Sequence, residues 1–269
     1  MLHKTPGRIK INTAVLPCLD LQRVNGIAAQ QSKHSALLHP TNVAVAGAEL
    51  PMLKATMPFA IAFDTFGLGT TAYTSVAIEG YIANVIAGVI DTSATHVKYA
   101  RETGASACAW IDSFRVQEGG ICTAEVMIAF YSDDGDTDPL TRTGSQAFPA
   151  LSAIPEEHGI GVFTLNTAAL DGVVGISYSS GLSFTTQRVS GNKFVTGAIP
   201  SGFEPVLEIE IQDADAVEAV LGSIGVKIAS STTISMLKYL NSALTATGAR
   251  TITIANGYVA PQAASGAHG

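Results

Sequence analysis

Between Ala107 and Leu140 the chain alternates apolar and polar residues in two runs separated by Glu118-Gly119-Gly120. In the first run Cys108, Trp110, Phe114 and Val116 fall on one face, with Asp112 as the polar exception. In the second, Cys122, Ala124, Val126, Ile128 and Phe130 share a face while Thr123 and Glu125 point away. A period of two on both sides of a Gly-Gly turn predicts a β-hairpin over Ala107–Tyr131. Behind it, Asp133-Asp134-Gly135-Asp136-Thr137-Asp138 and Pro139 make a turn.

The same kinds of stretch recur along the chain in one order. Ile11-Asn12-Thr13-Ala14-Val15-Leu16 matches Leu165-Asn166-Thr167-Ala168-Ala169-Leu170, and Gln22-Arg23-Val24-Asn25-Gly26 matches Gln187-Arg188-Val189-Ser190-Gly191. A Pro-led strand, Pro58 to Asp64, has its counterpart in Pro205 to Asp213. Each is followed by a short amphipathic segment, Val76 to Ile90 or Ala214 to Leu221, which is expected to be helical. Val97-Lys98-Tyr99 then matches Leu237-Lys238-Tyr239, and Gly104 and Gly248 each precede an aromatic, Phe114 or Tyr258.

These matches predict a mainly β (α+β) chain of two tandem β-sandwich or barrel-like modules, each carrying a short helix. The first module is expected over 1–148, including the Ala107–Tyr131 hairpin. A proline-bearing linker is expected over 149–158, and a related module over 159–269 that lacks the last strand. After Phe114 the first module turns at Gly119-Gly120 and adds the strand Ile121 to Tyr131. After Tyr258 the second has no such strand. An open sheet edge is a liability unless it is covered. The expectation is that a neighbouring chain completes the sheet near Arg250 to Val259, with Arg250, Ile252, Ile254, Tyr258, Ile121 and Val126 as the assembly-edge residues.

Composition narrows the function classes. Hydrophobic residues make up 47% of the chain and charged residues 14%, which suits a subunit whose surface is largely hidden in an assembly. With a net charge of −7 and no sizeable Lys/Arg cluster, a general grip on nucleic-acid phosphates is not expected. Cys18, Cys108 and Cys122 show no metal or redox spacing and read as reduced, buried thiols. Cys108 and Cys122 flank the hairpin, but a cytosolic origin argues against a bond between them. The beginning of the chain lacks the pattern of a signal peptide, and Val76 to Ile90 is too short and too interrupted to span a bilayer, so no membrane segment is expected.

Candidate chemistry is sparse. The Asp cluster fails the EF-hand register, since counting back from Gly135 gives Asp134, Ser132 and Phe130, and no glutamate closes the loop. It reads as a solvated turn, with Asp133, Asp134, Asp136 and Asp138 the candidates should an adventitious cation bind. His3, His34, His39, His96, His158 and His268 have no metal-ligand spacing, and His34 and His39, in the polar stretch Gln30 to His39, read as exposed loop histidines. There is no GxSxG, and Gly67-Leu68-Gly69-Thr70-Thr71 lacks the lysine of a phosphate loop. Trp110 reads as core, and nothing singles out Glu208, Glu210, Asp213 and Asp215 as paired carboxylates. No catalytic residue, cofactor or metal is expected.

The Pro-led strands with their following segments, the closing strands Ala107 to Val116, Ile121 to Tyr131 and Arg250 to Val259, and the opening Phe163 to Val173 together resemble the tail-tube family of tailed-phage virions and its distal-tail and baseplate relatives. The resemblance implies β-sandwich modules that form stacked rings around a lumen through which DNA passes without specific binding. It also implies a homo-oligomer, either a hexamer or a pseudo-hexameric trimer, contacts with other tail proteins, no catalytic residues, and a place in the virion after assembly in the bacterial cytoplasm. Distal-tail or baseplate ring, capsid decoration and adaptor roles are alternatives of the same class. A carbohydrate-binding or glycoside-cleaving β protein is the rival from another class, poorly supplied with one Trp and 7% aromatics.

Overall fold

The computed structural model describes residues 6–26, 29–32, 42–45, 49–74, 76–86, 89–90, 96–101, 106–152, 155–170, 172–187, 189, 191–212, 214–221, 226–228, 232–240 and 242–259. The fold is mainly β: among these residues there are two helices, and the rest of the regular structure is strand. The chain divides into two compact units. The first comprises Met1–Ser113, Ala124–Pro155 and Ser179–Val206, and the second Phe114–Thr123, Glu156–Tyr178 and Leu207–Gly269.

In the first unit the sequence Ile11-Asn12-Thr13-Ala14 closes a hairpin between Gly7–Ile11 and Ala14–Cys18, pairing Ile11 with Ala14 across a two-residue loop. Asn12 takes φ 53°, a left-handed conformation that asparagine tolerates better than most residues. Gly7–Ile11 also pairs antiparallel with Ile78–Ile82, which pairs with His96–Arg101, and that strand pairs with Leu140–Gln146. A second sheet runs in the order Ser106–Gln117, Thr123–Tyr131, Leu50–Pro58, Asp20–Gly26, with Thr70–Tyr73 also on Ser106–Gln117. Ile9, Leu21, Leu53, Ile78, Ile111 and Ile128 are fully buried and form the core of this unit.

The second unit also opens on a hairpin. Leu165-Asn166-Thr167-Ala168 closes the hairpin of His158–Leu165 and Ala168–Leu170, with Asn166 at φ 47° and Thr167 at φ 77°. His158–Leu165 pairs antiparallel with Thr232–Leu240, which pairs with Ala243–Ile254. The next strand, Val173–Ser179, lies between Val206–Ile211 and the end of Ser106–Gln117. There Glu118 donates its backbone N–H to the Val174 carbonyl at 2.8 Å, and Phe114 stacks on Tyr178 with centroids 5.0 Å apart. In both units later strands extend the hairpin sheet and one strand leads into a helix, with further strands between these elements that differ from unit to unit.

Four sequence expectations change. Pro58 to Asp64 is not a strand: Leu50–Pro58 ends there and Phe59–Phe66 is a helix. Phe59, Ala62, Phe63 and Phe66 have the i, i+3, i+4, i+7 spacing of one helix face. The large-small alternation Phe-Ala-Ile-Ala-Phe imitated a strand because every residue in it is apolar. The Phe59 and Phe63 rings stack at 5.4 Å, Pro58 sits at the N-cap, and Gly67 ends the helix at φ 65° with its N–H on the Phe63 carbonyl at 3.0 Å. Val76 to Ile90, expected as the helix, contains the strands Ile78–Ile82, Val85–Ile86 and Val89–Ile90. Its β-branched residues suit strands, and Gly80 leaves room for Leu53, whose Cδ1 would lie 2.8 Å from any Cβ there.

The expected boundaries 1–148, 149–158 and 159–269 change as well. Ser106–Gln117 is long enough to give its first residues to one unit and its last to the other. Residues 179–206 belong to the first unit, where Phe184 meets Trp110 at a centroid distance of 4.8 Å and Val195 joins the Cys108, Trp110, Ala129 and Tyr131 cluster. The expected linker is held in place at both ends: Ser152 and Val15 exchange hydrogen bonds, and His158 begins a strand. The expected helix Ala214–Leu221 and the strand before it, Val206–Ile211, are present.

Candidate functional site

The sheet edges are the features with the clearest capacity for function, and each is finished differently. Ala14–Cys18 contains Pro17 and bonds to Ser152. Ala168–Leu170 is three residues long. Asp20–Gly26 carries Asp20 and Arg23, with Arg23 paired to Asp138 at 2.6 Å. Val206–Ile211 follows Pro205 and exposes Glu208 and Glu210. Charges, prolines, shortness and covering segments are the usual ways of preventing edge-to-edge pairing.

Ala243–Ile254 is finished only along half its length. Met236 pairs with Arg250 and Lys238 with Thr245, so Ala246 to Ala249 bulge out opposite Leu237. The bulge is pinned from inside the unit. Gly248, at φ 81°, offers its carbonyl to His158 Nε2 at 3.1 Å and to Arg250 Nη1 at 2.8 Å. Beside it Lys238 donates to Glu156 at 2.6 Å, and that hydrogen bond, aided by the nearby positive charges, holds the Glu156 carboxyl below its usual range despite some desolvation. Beyond the bulge, Arg250 to Ile254 run in regular register against Thr232 to Met236, with Ile252 buried and Thr251 and Thr253 exposed. Among the described residues no strand lies on the other side of them.

Of the expected edge residues, Arg250, Ile252 and Ile254 therefore lie together on the outermost strand of a sheet. Tyr258 does not belong to that edge, because Tyr258–Val259 pairs with Val226–Lys227. Val126 is fully buried on Thr123–Tyr131, an interior strand, so it is a core residue. Its place on the apolar face of a perfect alternation was the sign of burial. Ile121 is 47% exposed in the turn before that strand. Sequence reading missed Leu140–Gln146 altogether, since its Thr/Gly/Ser composition has no apolar period to detect.

In the acidic turn Asp134 and Asp138 are held by backbone N–H groups and side-chain donors. Asp134 Oδ1 accepts from the Thr137 and Asp136 N–H groups and from Ser132 Oγ, each at 2.9 Å, and Oδ2 accepts from Thr137 Oγ1 at 2.8 Å. These bonds, those of Thr137 foremost, hold the Asp134 carboxyl far below its ordinary range. Asp138 accepts from the Leu140 N–H at 2.9 Å and from Arg23. Asp133 and Asp136 are exposed. Among the described residues no group of three or more His, Cys, Asp or Glu is placed to hold a metal ion.

Two histidines are buried: His96 accepts the Asn84 N–H at Nδ1 (3.1 Å) beside the Phe148 ring, and His158 is 1% exposed. Both begin strands, where an imidazole covers core atoms and still reaches a backbone group. His3, His34, His39 and His268 lie outside the described residues, as does Asp213. Trp110 is in the core, 6% exposed, and Glu208 bonds to Ser177 at 3.2 Å. Cys18, Cys108 and Cys122 are buried free thiols. An open groove of about 300 Å³ in the second unit has Glu118 as the one charged residue in its lining, with Val162, Leu170 and Leu244 among the aliphatic ones. No helix among the described residues is long and apolar enough to cross a membrane.

No protein-family model matches this chain, and no curated protein matches it.

Proposed function

We propose that this protein is a structural subunit of a tailed-phage virion, a tail-tube or tail-ring protein whose copies build rings by pairing sheet edges. The observation that supports this best is the similar order of strand pairing in the two units, each with a sheet whose last strand has no further strand on its outer side among the described residues. A chain carrying one plan twice presents two similar but unequal surfaces, and contacts between unlike surfaces of identical copies propagate head to tail, forming a ring when the rotation per copy closes. A trimer of two-module chains is then pseudo-sixfold, and a hexamer uses one module per position. The net charge of −7, with Glu125, Glu208 and Glu210 on exposed or half-buried strand positions, suits a lumen that passes DNA without holding it. Such a subunit acts without catalytic residues or cofactor, in contact with other tail proteins, within the virion assembled in the bacterial cytoplasm.

Distal-tail ring, decoration and adaptor roles use the same edges. The carbohydrate reading is disfavoured by the aromatics: Trp110, Phe114, Phe130 and Tyr178 are buried, and Phe203 and Tyr258 are the strongly exposed ones among the described residues. Negative-stain imaging of the purified chain tests the proposal. Rings or tubes of uniform diameter support it, and monomers at every concentration overturn it.

A further inference from the structure

Asn-Gly occurs at two places in the chain, Asn25-Gly26 and Asn256-Gly257. Asparagine is among the thermally labile residues. Its lability depends on the residue that follows, whose backbone nitrogen attacks the side-chain amide carbon. Glycine, with no side chain, obstructs that attack least and leaves the backbone most freedom to reach it. Ring closure also needs a backbone that rotates until the nitrogen meets the side chain. A strand held in its ladder withholds that rotation, and an exposed turn permits it. The fold puts one Asn-Gly pair in each setting.

Asn25 and Gly26 are the last two residues of Asp20–Gly26, where their backbones pair with Pro51 and Leu50. Asn256 and Gly257 lie between Ala243–Ile254 and Tyr258–Val259 and belong to neither strand. Ala255, Asn256 and Gly257 are all exposed. Among the described residues the Gly257 N–H has no hydrogen-bond partner, so the attacking nitrogen is free. The Gly257 carbonyl is engaged, accepting the Ile228 N–H at 3.0 Å.

We infer that Asn256 is a site of spontaneous covalent modification, converting to aspartate and isoaspartate in the folded protein while Asn25 is spared. The Gly257 nitrogen loses its proton and bonds to Asn256 Cγ. The bond from Cγ to the side-chain nitrogen breaks, and ammonia leaves with that proton. Water then opens the cyclic imide on one side or the other. Cleavage between the Gly257 nitrogen and Cγ gives aspartate, and cleavage at the Asn256 backbone carbonyl gives isoaspartate. The balance is one amide and one water in, one carboxylic acid and one ammonia out. Each event adds a negative charge to a chain of net charge −7. Isoaspartate also lengthens the backbone by one carbon in the short turn between Ile254 and Tyr258. That carbon displaces the Gly257 carbonyl from the Ile228 N–H and loosens the pairing of Tyr258–Val259 with Val226–Lys227.

The test incubates the purified chain in mildly alkaline buffer, native and unfolded in urea, and follows both sites by peptide mapping with mass spectrometry. In the native chain Asn256 is expected to convert about tenfold faster than Asn25, the ratio that about 1.4 kcal/mol of ladder opening imposes, and in urea the two rates converge. Asn256→Gln keeps an amide at the position and is expected to remove the more acidic isoform that the aged wild-type chain shows on isoelectric focusing. In the isoaspartate fraction, hydrogen exchange at the Ile228 amide is expected to be faster than in the fresh chain. Asn25 converting as fast as Asn256 in the native chain overturns the assignment, as does a native Asn256 that stays intact while both sites convert in urea. An Ile228 amide equally protected in the fresh chain and the isoaspartate fraction overturns the structural consequence.

Discussion

Raising the pH tests the two units separately, because each has a deeply buried thiol. Cys18 lies in the first unit and Cys122 in the second, 5% and 0% exposed. Burial pushes each thiol from an ordinary 9.0 up to about 12. The folded chain therefore favours the neutral thiol, whereas the unfolded chain ionises above about 8.5–9. The stabilisation is fully present below the unfolded pKa and is lost as pH rises through the window from 9.0 to about 12. Three units correspond to about 4 kcal/mol per thiol when the loss is complete, and to about 2 kcal/mol at a pH of about 10.5. Against a typical domain stability of about 5–15 kcal/mol, both thiols together are a large fraction. The assay is urea unfolding at pH 8 and near 10.5 for wild type, Cys18→Ala and Cys122→Ala. Each substitution also leaves a small cavity, so the informative quantity is the pH-dependent loss, which should shrink by about 2 kcal/mol per thiol removed. Equal losses in wild type and variants would refute the reasoning, as would rapid reaction of all three thiols with a thiol reagent in the native state.

Three further outcomes follow from named contacts. Phe114→Ala removes a ring that is 2% exposed and stacked on Tyr178, and should cost about 3–5 kcal/mol in a chemical-denaturation midpoint. At Asn12, φ 53°, Asn12→Val should destabilise by about 1–2 kcal/mol while Asn12→Gly changes stability by only a few tenths of that, and thermal melts of the pair would show it. Because the Asp134 oxygens already accept four hydrogen bonds, millimolar calcium should leave the melting temperature unchanged; a rise corresponding to about 2–3 kcal/mol would mean that a cation site forms there.

The elements legible in the sequence were those with one buried face. Cys122 to Phe130 alternated because Thr123–Tyr131 is an interior strand, and Leu207 to Ile211 alternated because only one face of Val206–Ile211 is covered. The Asn-Thr stretches stood out in the sequence only as matching segments, and the fold shows why they match: each closes a two-residue hairpin loop with a positive φ at its asparagine. Phe59–Phe66 was misread because an all-apolar run satisfies both periods, and what decides between them is packing that only the fold supplies. The outermost strands were the least legible: Leu140–Gln146 buries too little to carry a pattern. The same lack of burial hid it in the sequence and makes it a candidate for contact in the structure.

The central claim is that copies of this chain join through unlike sheet edges into a closed ring. The most direct measurement is the mass of the purified chain in solution across a dilution series, set against the 27.8 kDa of a single copy. The account predicts one discrete closed species at three or six times that mass, which disappears when Thr251 and Thr253 are both replaced by lysine while the fold is retained. A chain that stays at 27.8 kDa throughout, or a lysine variant that assembles as the wild type does, would contradict it.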